Sequence, residues 1–115
     1  MILPGTGSNE LIVLLSHVFL GKGAGIVMAE RAFVVYKLVA RSFQADVVTV
    51  PMKDFTHDLP AMLAAIRPET RIIYISNPNN PTGTVVSRAA MDEFMAGVPD
   101  HVIVCFDEAY IELLP

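Results

Sequence analysis

A regular alternation of short apolar runs with segments of helical periodicity is the feature that most constrains the fold. Each run has the length of a buried strand, and segments with apolar residues three and four positions apart precede the first run and separate the others. The runs are residues 25–29, 47–50, 72–76 and 102–106, and helices are predicted from residue 8 or 9 to about residue 20, then over 33–44, 58–66 and 87–97. Parallel strands joined by helices need crossovers, which cover both faces of the sheet. The pattern therefore predicts an α/β fold of three layers, α/β/α, with a mostly parallel sheet.

Composition and charge limit the kinds of molecule that we expect this chain to bind. The chain has 115 residues, of which 53% are hydrophobic, and its formal net charge is −4. We find no basic run that could follow a phosphate backbone, so we expect no nucleic-acid partner. Apolar stretches are interrupted before about 18 residues and no leader pattern begins the chain, so we expect a soluble, untargeted protein without a membrane partner.

Cysteine and histidine add little chemistry to this sequence. Cys105 is the only cysteine and lies inside an apolar run, which is typical of a small buried hydrophobic residue. A disulfide within the chain is therefore impossible, and we expect a cytoplasmic location. The three histidines, His17, His57 and His101, share no ligand spacing, so we expect no metal site.

A polar loop follows the third apolar run. Its sequence is Asn77-Pro78-Asn79-Asn80-Pro81-Thr82-Gly83. The prolines fix their φ angles, the glycine permits a turn, and the three asparagine side chains are expected to hydrogen-bond outward. At the carboxyl end of a strand, the loop would lie where ligands bind in open α/β sheets. The alternative is an ordinary Asn/Pro turn.

A glycine-containing loop, Gly5-Thr6-Gly7-Ser8-Asn9-Glu10, precedes the first helix. Ser8 or Asn9 is a natural N-cap, and the glycines would let a ligand approach the backbone. The free amides of the first turn favour an anion such as phosphate. A capped helix without a ligand is the alternative interpretation.

Asp107 directly follows the fourth apolar run, at the carboxyl end of a predicted interior strand. A carboxylate in such a partly dry place needs a cationic partner. Tyr110 can lie near it if the chain turns, and its phenol offers one donor and one acceptor. Asn80 comes from another strand end that the topology could place alongside. The alternative is an aspartate that only caps a turn.

Two nucleotide-binding interpretations fail on missing motifs. An apolar run followed by Asp-Glu is also typical of P-loop hydrolases, but the required G-x-x-x-x-G-K-[ST] is absent. The dinucleotide fingerprint G-x-G-x-x-G is absent as well. The sequence therefore disfavours both nucleotide-binding interpretations.

Four motifs together resemble the large domain of pyridoxal-phosphate-dependent aminotransferases of the aspartate aminotransferase fold, fold type I. They are Gly7-Ser8-Asn9-Glu10, Ala32-Phe33-Val34-Val35-Tyr36, the loop at 77–83 and Asp107-Glu108-Ala109-Tyr110. Within that fold the sequence is most similar to the histidinol-phosphate aminotransferase family. The resemblance covers all 115 residues and implies that residues 1–115 are part of the PLP-binding large domain.

The resemblance also implies roles for particular residues. Asp107 would pair with the pyridine nitrogen of pyridoxal 5'-phosphate, and Asn80 and Tyr110 would contact the phenolic oxygen of its ring. Phe33 would stack on the ring face, while Ser8 and Asn9 would hold the phosphate. The implied substrates are a small-molecule amino donor, L-histidinol phosphate, and a 2-oxo acid, 2-oxoglutarate. The implied assembly is a homodimer or larger.

Some positions depart from the family pattern. Arg31-Ala32 stands where Pro-Thr is common, and neither Lys22, Lys37 nor Lys53 matches the Schiff-base lysine. We therefore assign no catalytic residue, and we expect a fragment that lacks the lysine region and the small domain and is inactive alone. Three alternatives remain: an aromatic aminotransferase, a phosphothreonine decarboxylase, and a non-catalytic α/β module that binds an anion or a partner.

Overall fold

Four parallel strands form the centre of the molecule in a computed structural model that describes residues 1–115. They are β1 (Gly25–Ala29), β2 (Asp46–Val50), β3 (Thr70–Ser76) and β4 (Ile103–Asp107). They form one sheet with the order β2-β1-β3-β4. All three strand pairs are parallel, which places every carboxyl end at the same edge of the sheet.

Four helices cover the sheet, two on each face. They are α1 (Ser8–Phe19), α2 (Val35–Ser42), α3 (Leu59–Ala64) and α4 (Arg88–Gly97), and a 3-10 turn follows at Ile111–Leu113. Alternate residues of β3 divide the core, because successive strand side chains point to opposite faces. Tyr74 packs with α1 and α2, whereas Ile73 packs with α3 and α4. The predicted three-layer α/β/α fold is confirmed.

Helix boundaries follow local backbone geometry more closely than hydrophobic periodicity does. Helix α2 begins at Val35, two residues after the predicted start, because residues 30–34 form turns with backbone bonds such as Ala32 N–H to Ala29 O. It ends at Ser42, and Gln44 takes a left-handed φ of 60° that stops further helix. No helix is both long and apolar enough to cross a bilayer.

Helix caps support two of the predicted starts and correct a third. Asp58 accepts a hydrogen bond from Ala61 N–H at the start of α3, and Ser87 accepts one from Ala90 N–H at the start of α4. The N-cap of α1 is Gly7, with φ 98°, rather than Ser8 or Asn9. Only glycine adopts this φ without strain, so the chain turns into the helix one residue earlier than predicted.

Candidate functional site

The carboxyl ends of β3 and β4 bring two of the predicted motifs side by side. Ser76 lies opposite Asp107 in the register of these strands. The backbone N–H of Asn77 then donates to the Asp107 carbonyl at 2.9 Å, just as the loop at 77–83 leaves the sheet. The residues that follow both strands therefore leave the same edge together.

Two of the three loop asparagines face inward, contrary to the expectation that all would face outward. The Asn77 side chain accepts from Val86 N–H at 3.0 Å and donates to the Val86 carbonyl at 3.4 Å. The Asn79 amide donates to the Arg31 carbonyl at 3.0 Å and to Thr82 Oγ1 at 2.7 Å. Both side chains are buried because they satisfy the backbone of a loop that has no regular structure of its own.

Asn80 is the exception within the loop. Its backbone N–H donates to Ser76 Oγ at 3.2 Å, which ties it to the end of β3. Its side-chain amide is half-buried and has no hydrogen-bond partner in the protein. With Tyr110 it lines a cavity of about 310 Å³, so these two predicted residues do come together.

A second cavity joins the start of α1 to the end of β4. It has a volume of about 460 Å³ and is lined by Gly7, Ser8, Cys105 and Asp107 among others. The Ser8 side chain makes no capping hydrogen bond. The glycine-containing loop and the strand-end carboxylate, separated by about a hundred residues of sequence, thus share one cavity.

Asp107 is held by neutral donors alone. It is half-buried, its Oδ2 accepts from the Tyr36 hydroxyl at 2.6 Å, and its Oδ1 accepts from Ala109 N–H at 3.2 Å. The one ion pair in the chain joins Arg88 to Asp92 on the surface of α4. The carboxylate at the cavity wall therefore has no cation to balance it, which is costly for a charge partly removed from water.

Tyr36 is the site neighbour that the sequence did not predict. It is fully buried on α2, and its ring stacks on Tyr74 with centroids 4.4 Å apart and planes 2° from parallel. Burial and, next, the hydrogen bond to Asp107 raise its pKa far above the ordinary value, so the phenol remains protonated. Buried tyrosine hydroxyls usually have a hydrogen-bond partner. That general preference was the only indication in the sequence that Tyr36 could contact a site residue.

Phe33 and Asn9 lie in neither cavity. Phe33 is half-buried and packs against the Tyr36 ring in a T-shaped arrangement, with centroids 5.6 Å apart and planes at 89°. Asn9 is exposed in the first turn of α1. The structure therefore brings Ser8 to Asp107 and Asn80 to Tyr110, and it leaves Phe33 and Asn9 at the margin.

Cys105 is packed against the core on the face of α1 and α2, as a small hydrophobic residue should be. Burial, with a smaller contribution from the Asp107 charge, raises the pKa of its thiol to about 11. Thiolate is the nucleophilic form of cysteine, so Cys105 does not supply a nucleophile to the cavity at neutral pH.

A third cavity, of about 560 Å³, lies between α3 and α4 and contains none of the predicted site residues. His57 lines it and is buried, with no hydrogen-bond partner for Nε2. Burial lowers the pKa of His57 to about 4, so its ring is neutral near pH 7. This cavity is separate from the carboxyl edge that carries Asp107.

Comparison with known proteins identifies the protein family of this chain. Residues 1–115 match the family described as aminotransferase class I and II. The chain belongs to this family.

The curated relatives of this chain have names that are more specific than the description of the family. The chain is 48% identical over 108 residues to histidinol-phosphate aminotransferase 2 of Pseudomonas fluorescens, and 51% identical over 109 residues to histidinol-phosphate aminotransferase of Akkermansia muciniphila. Each alignment covers 94% of this chain but only 29% and 30% of the respective relative. The chain therefore spans about 30% of the length of the curated relatives it matches.

Solved structures agree with the fold. The histidinol-phosphate aminotransferase of Sinorhizobium meliloti, crystallised in complex with pyridoxal-5'-phosphate, superposes with a TM-score of 0.91 at 28% identity. The match covers 96% of this chain and 30% of that one. An aspartate aminotransferase of Rhizobium meliloti superposes with a TM-score of 0.89 at 20% identity, which supports the fold alone.

Proposed function

We propose that residues 1–115 form part of the large domain of an aminotransferase and bind pyridoxal 5'-phosphate at the carboxyl edge of the sheet. The observation that carries the proposal is the Asp107 carboxylate, which lines a cavity without a cation to balance its charge. A protonated pyridine nitrogen would supply that cation. When bound, pyridoxal phosphate provides an electron sink for the electrons released as a substrate loses its α-proton.

The donor set around Asp107 fits such a ligand. Each carboxylate oxygen has accepted one hydrogen bond, and an ionised carboxylate has about four acceptor positions, so two remain. At the other side of the same cavity, Gly7 and Ser8 begin α1, whose first amides and dipole favour a phosphate. We assign phosphate binding to this end of α1, with Ser8 and Asn9 as its side chains.

The cavity lined by Asn80 and Tyr110 supports contacts to the ring. The free amide of Asn80 and the phenol of Tyr110 can each donate to a phenolic oxygen, and no protein group competes for the Asn80 side chain. We assign Phe33 to the face of the ring, although it lies outside both cavities and would need to turn toward them.

We propose L-histidinol phosphate and 2-oxoglutarate as the substrates of the protein to which these residues belong. Support comes from the relatives that bear the name histidinol-phosphate aminotransferase, each of which this chain matches over about 30% of its length. Assay of amino donors that carry an imidazole, an aromatic ring or a phosphothreonine group distinguishes this substrate from the nearest alternatives.

Neither cavity is lined by a lysine. A lysine is the residue that would hold the cofactor covalently and move the substrate proton. We therefore expect the purified 115-residue polypeptide to bind the cofactor but not to turn over histidinol phosphate. Measurable turnover by this polypeptide would contradict the assignment of its residues.

We further propose that the protein is cytoplasmic and associates into a homodimer or larger assembly. Strand β4, which the sequence predicted to be an interior strand, lies at the edge of the sheet, where its backbone groups have no partner on one side. Exposed apolar side chains lie on α2 and on the last residues, among them Leu38 and Leu113. Sedimentation of a monomer at high concentration would count against this assembly.

The test of the cofactor site uses Asp107→Ala and, as a matched control, Asp100→Ala, which removes an exposed aspartate outside the three cavities. Pyridoxamine 5'-phosphate is titrated by calorimetry, since its amine cannot condense with surface lysines as pyridoxal phosphate would. We expect Asp107→Ala to weaken binding at least tenfold, because a charged hydrogen bond is lost, and Asp100→Ala to bind as the unchanged chain does. Equal affinities of all three chains would overturn the proposal.

A further inference from the structure

A single hydrogen bond joins α2 to the end of β4. The Tyr36 hydroxyl donates to Asp107 Oδ2 at 2.6 Å, across 71 residues of sequence. This distance is typical of a hydroxyl bonded to an ionised oxygen, which is about twice as strong as a bond between neutral groups. The contact is therefore a strong constraint on the carboxylate.

The constraint acts on orientation, because the other oxygen is also held. Ala109 N–H donates to Asp107 Oδ1 at 3.2 Å, from the residues that follow β4. With one donor on each oxygen, the plane of the carboxylate can no longer rotate freely. Its remaining acceptor positions have no partner in the protein, and Asp107 lines the cavity.

Tyr36 itself cannot reach a ligand. It has no exposed surface and lines none of the three cavities. Its ring stacks on the parallel ring of Tyr74 and packs against Phe33 in a T-shaped arrangement. Its hydroxyl donates to Asp107, which does line a cavity, so the phenol can affect a bound molecule through that carboxylate.

We propose that Tyr36 is a positioning residue, whose phenol fixes the Asp107 carboxylate in the orientation that receives the ring nitrogen of the cofactor. The inference rests on the proposed function for its ligand and on the observed hydrogen bonds for its geometry. Tyr36 acts without touching substrate or cofactor.

Tyr74 provides a matched control within the same stack. Its ring is as fully buried as that of Tyr36, but its hydroxyl has no hydrogen-bond partner. Tyr36→Phe and Tyr74→Phe each remove one buried oxygen and leave the stacked rings in place. A difference between the two variants therefore reports the bond to Asp107 rather than burial.

The first measurement is made without ligand and is independent of the proposed function. In chain labelled with ¹³C at aspartate carboxyls and ¹⁵N at amides, we expect Tyr36→Phe to shift the Asp107 carboxyl and Ala109 amide signals. Tyr74→Phe should leave both nearly unchanged. If Tyr36→Phe also leaves both unchanged, the phenol does not position the carboxylate and the inference is wrong.

The second measurement compares the affinities of two ligands, pyridoxamine 5'-phosphate and an analogue with carbon in place of the ring nitrogen. We expect Tyr36→Phe to weaken binding of the first about tenfold and to leave the analogue unaffected, because only the first presents the nitrogen to Asp107. A merely structural role would weaken both equally and would overturn the inference, even if the variant were less stable.

A double variant completes the test. In an Asp107→Asn background, Tyr36→Phe should cause no further loss of affinity, since the two residues act as one unit. Additive losses would show that Tyr36 acts by another route. If the unchanged chain binds neither ligand, the proposed function fails and the cofactor role of Tyr36 fails with it, while the ligand-free signals still decide the geometric claim.

Discussion

The three asparagines of the loop at 77–83 have different roles, although they carry the same type of side chain. Asn77 and Asn79 are buried and bond to backbone and hydroxyl groups of the protein, whereas the amide of Asn80 is free beside Tyr110. A buried polar group that loses its partner costs more than an exposed one. Substitution of Asn77 and of Asn80 should therefore affect different properties of the chain.

We expect Asn77→Ala to lower the free energy of unfolding by about 1–3 kcal/mol, because it leaves the buried N–H and carbonyl of Val86 without their partner. Asn80→Ala should change stability by less than about 0.5 kcal/mol, yet weaken binding of pyridoxamine 5'-phosphate. Urea unfolding and calorimetric titration of both variants measure the two effects. The opposite assignment of effects would contradict the proposed division of tasks.

Strand-end reasoning from the sequence located part of the site, because chain order alone determines which residues leave a parallel sheet at its carboxyl edge. Asn80, Asp107 and Tyr110 follow from that rule. Tyr36 does not, since its hydroxyl reaches Asp107 only through the packing of α2 beneath the sheet. The inward rotation of Asn77 and Asn79 likewise depends on backbone groups that only the folded loop leaves unpaired.

The sequence predicts the start of α4 correctly but not the start of α1. Ser87 is the N-cap of α4 and accepts from Ala90 N–H at 3.2 Å, as its sequence position predicts. Ser8 resembles a cap in sequence but is the first helical residue after Gly7. Its hydroxyl therefore contributes nothing to the start of α1.

Ser87→Ala should cost about 1 kcal/mol of stability, the usual value for a lost N-cap bond. Ser8→Ala is the matched control and should cost less than about 0.5 kcal/mol, because its side chain makes no capping bond. Thermal and urea unfolding of both variants compare them directly. Equal losses would mean that Ser8 supports α1 in a way the structure does not explain.

The order of elements was predictable because continuous apolar runs of strand length alternate with segments of 3.6-residue periodicity in this chain. All four strands and all four helices occur in the predicted order. The limits of α2 were not predictable, since Phe33 and Val34 have the spacing of a helical face but lie in a turn. Val34 is exposed, and the buried residues of α2 are Tyr36 and Ala40, so periodicity identified neither the start of this helix nor its buried face.

Stability of the whole molecule should depend on pH through His57. Burial lowers its pKa from 6.5 to about 4, so between these values the folded chain binds fewer protons than the unfolded chain. Stability from this group is therefore complete above about pH 6.5 and is lost as the pH falls toward 4. The loss at pH 5 should be on the order of 2 kcal/mol.

The His57→Leu variant tests this dependence, because leucine cannot take up a proton. Urea unfolding at pH 7 and pH 5 should give a smaller drop in stability for the variant than for the unchanged chain. His17 and His101 are exposed and present in both chains, so their contributions cancel in the comparison. An identical drop would mean that His57 is not buried in its neutral form.

Residue-level mapping of the ligand tests whether the carboxyl edge of the sheet is the cofactor site. Pyridoxamine 5'-phosphate is added to ¹⁵N-labelled chain and every amide signal is followed. We predict saturable shifts for Ser8, Asn80, Ala109 and Tyr110, and none for His57 or Leu63, which line the separate cavity between α3 and α4. Shifts confined to that other cavity, or no saturable shift at all, would contradict the account.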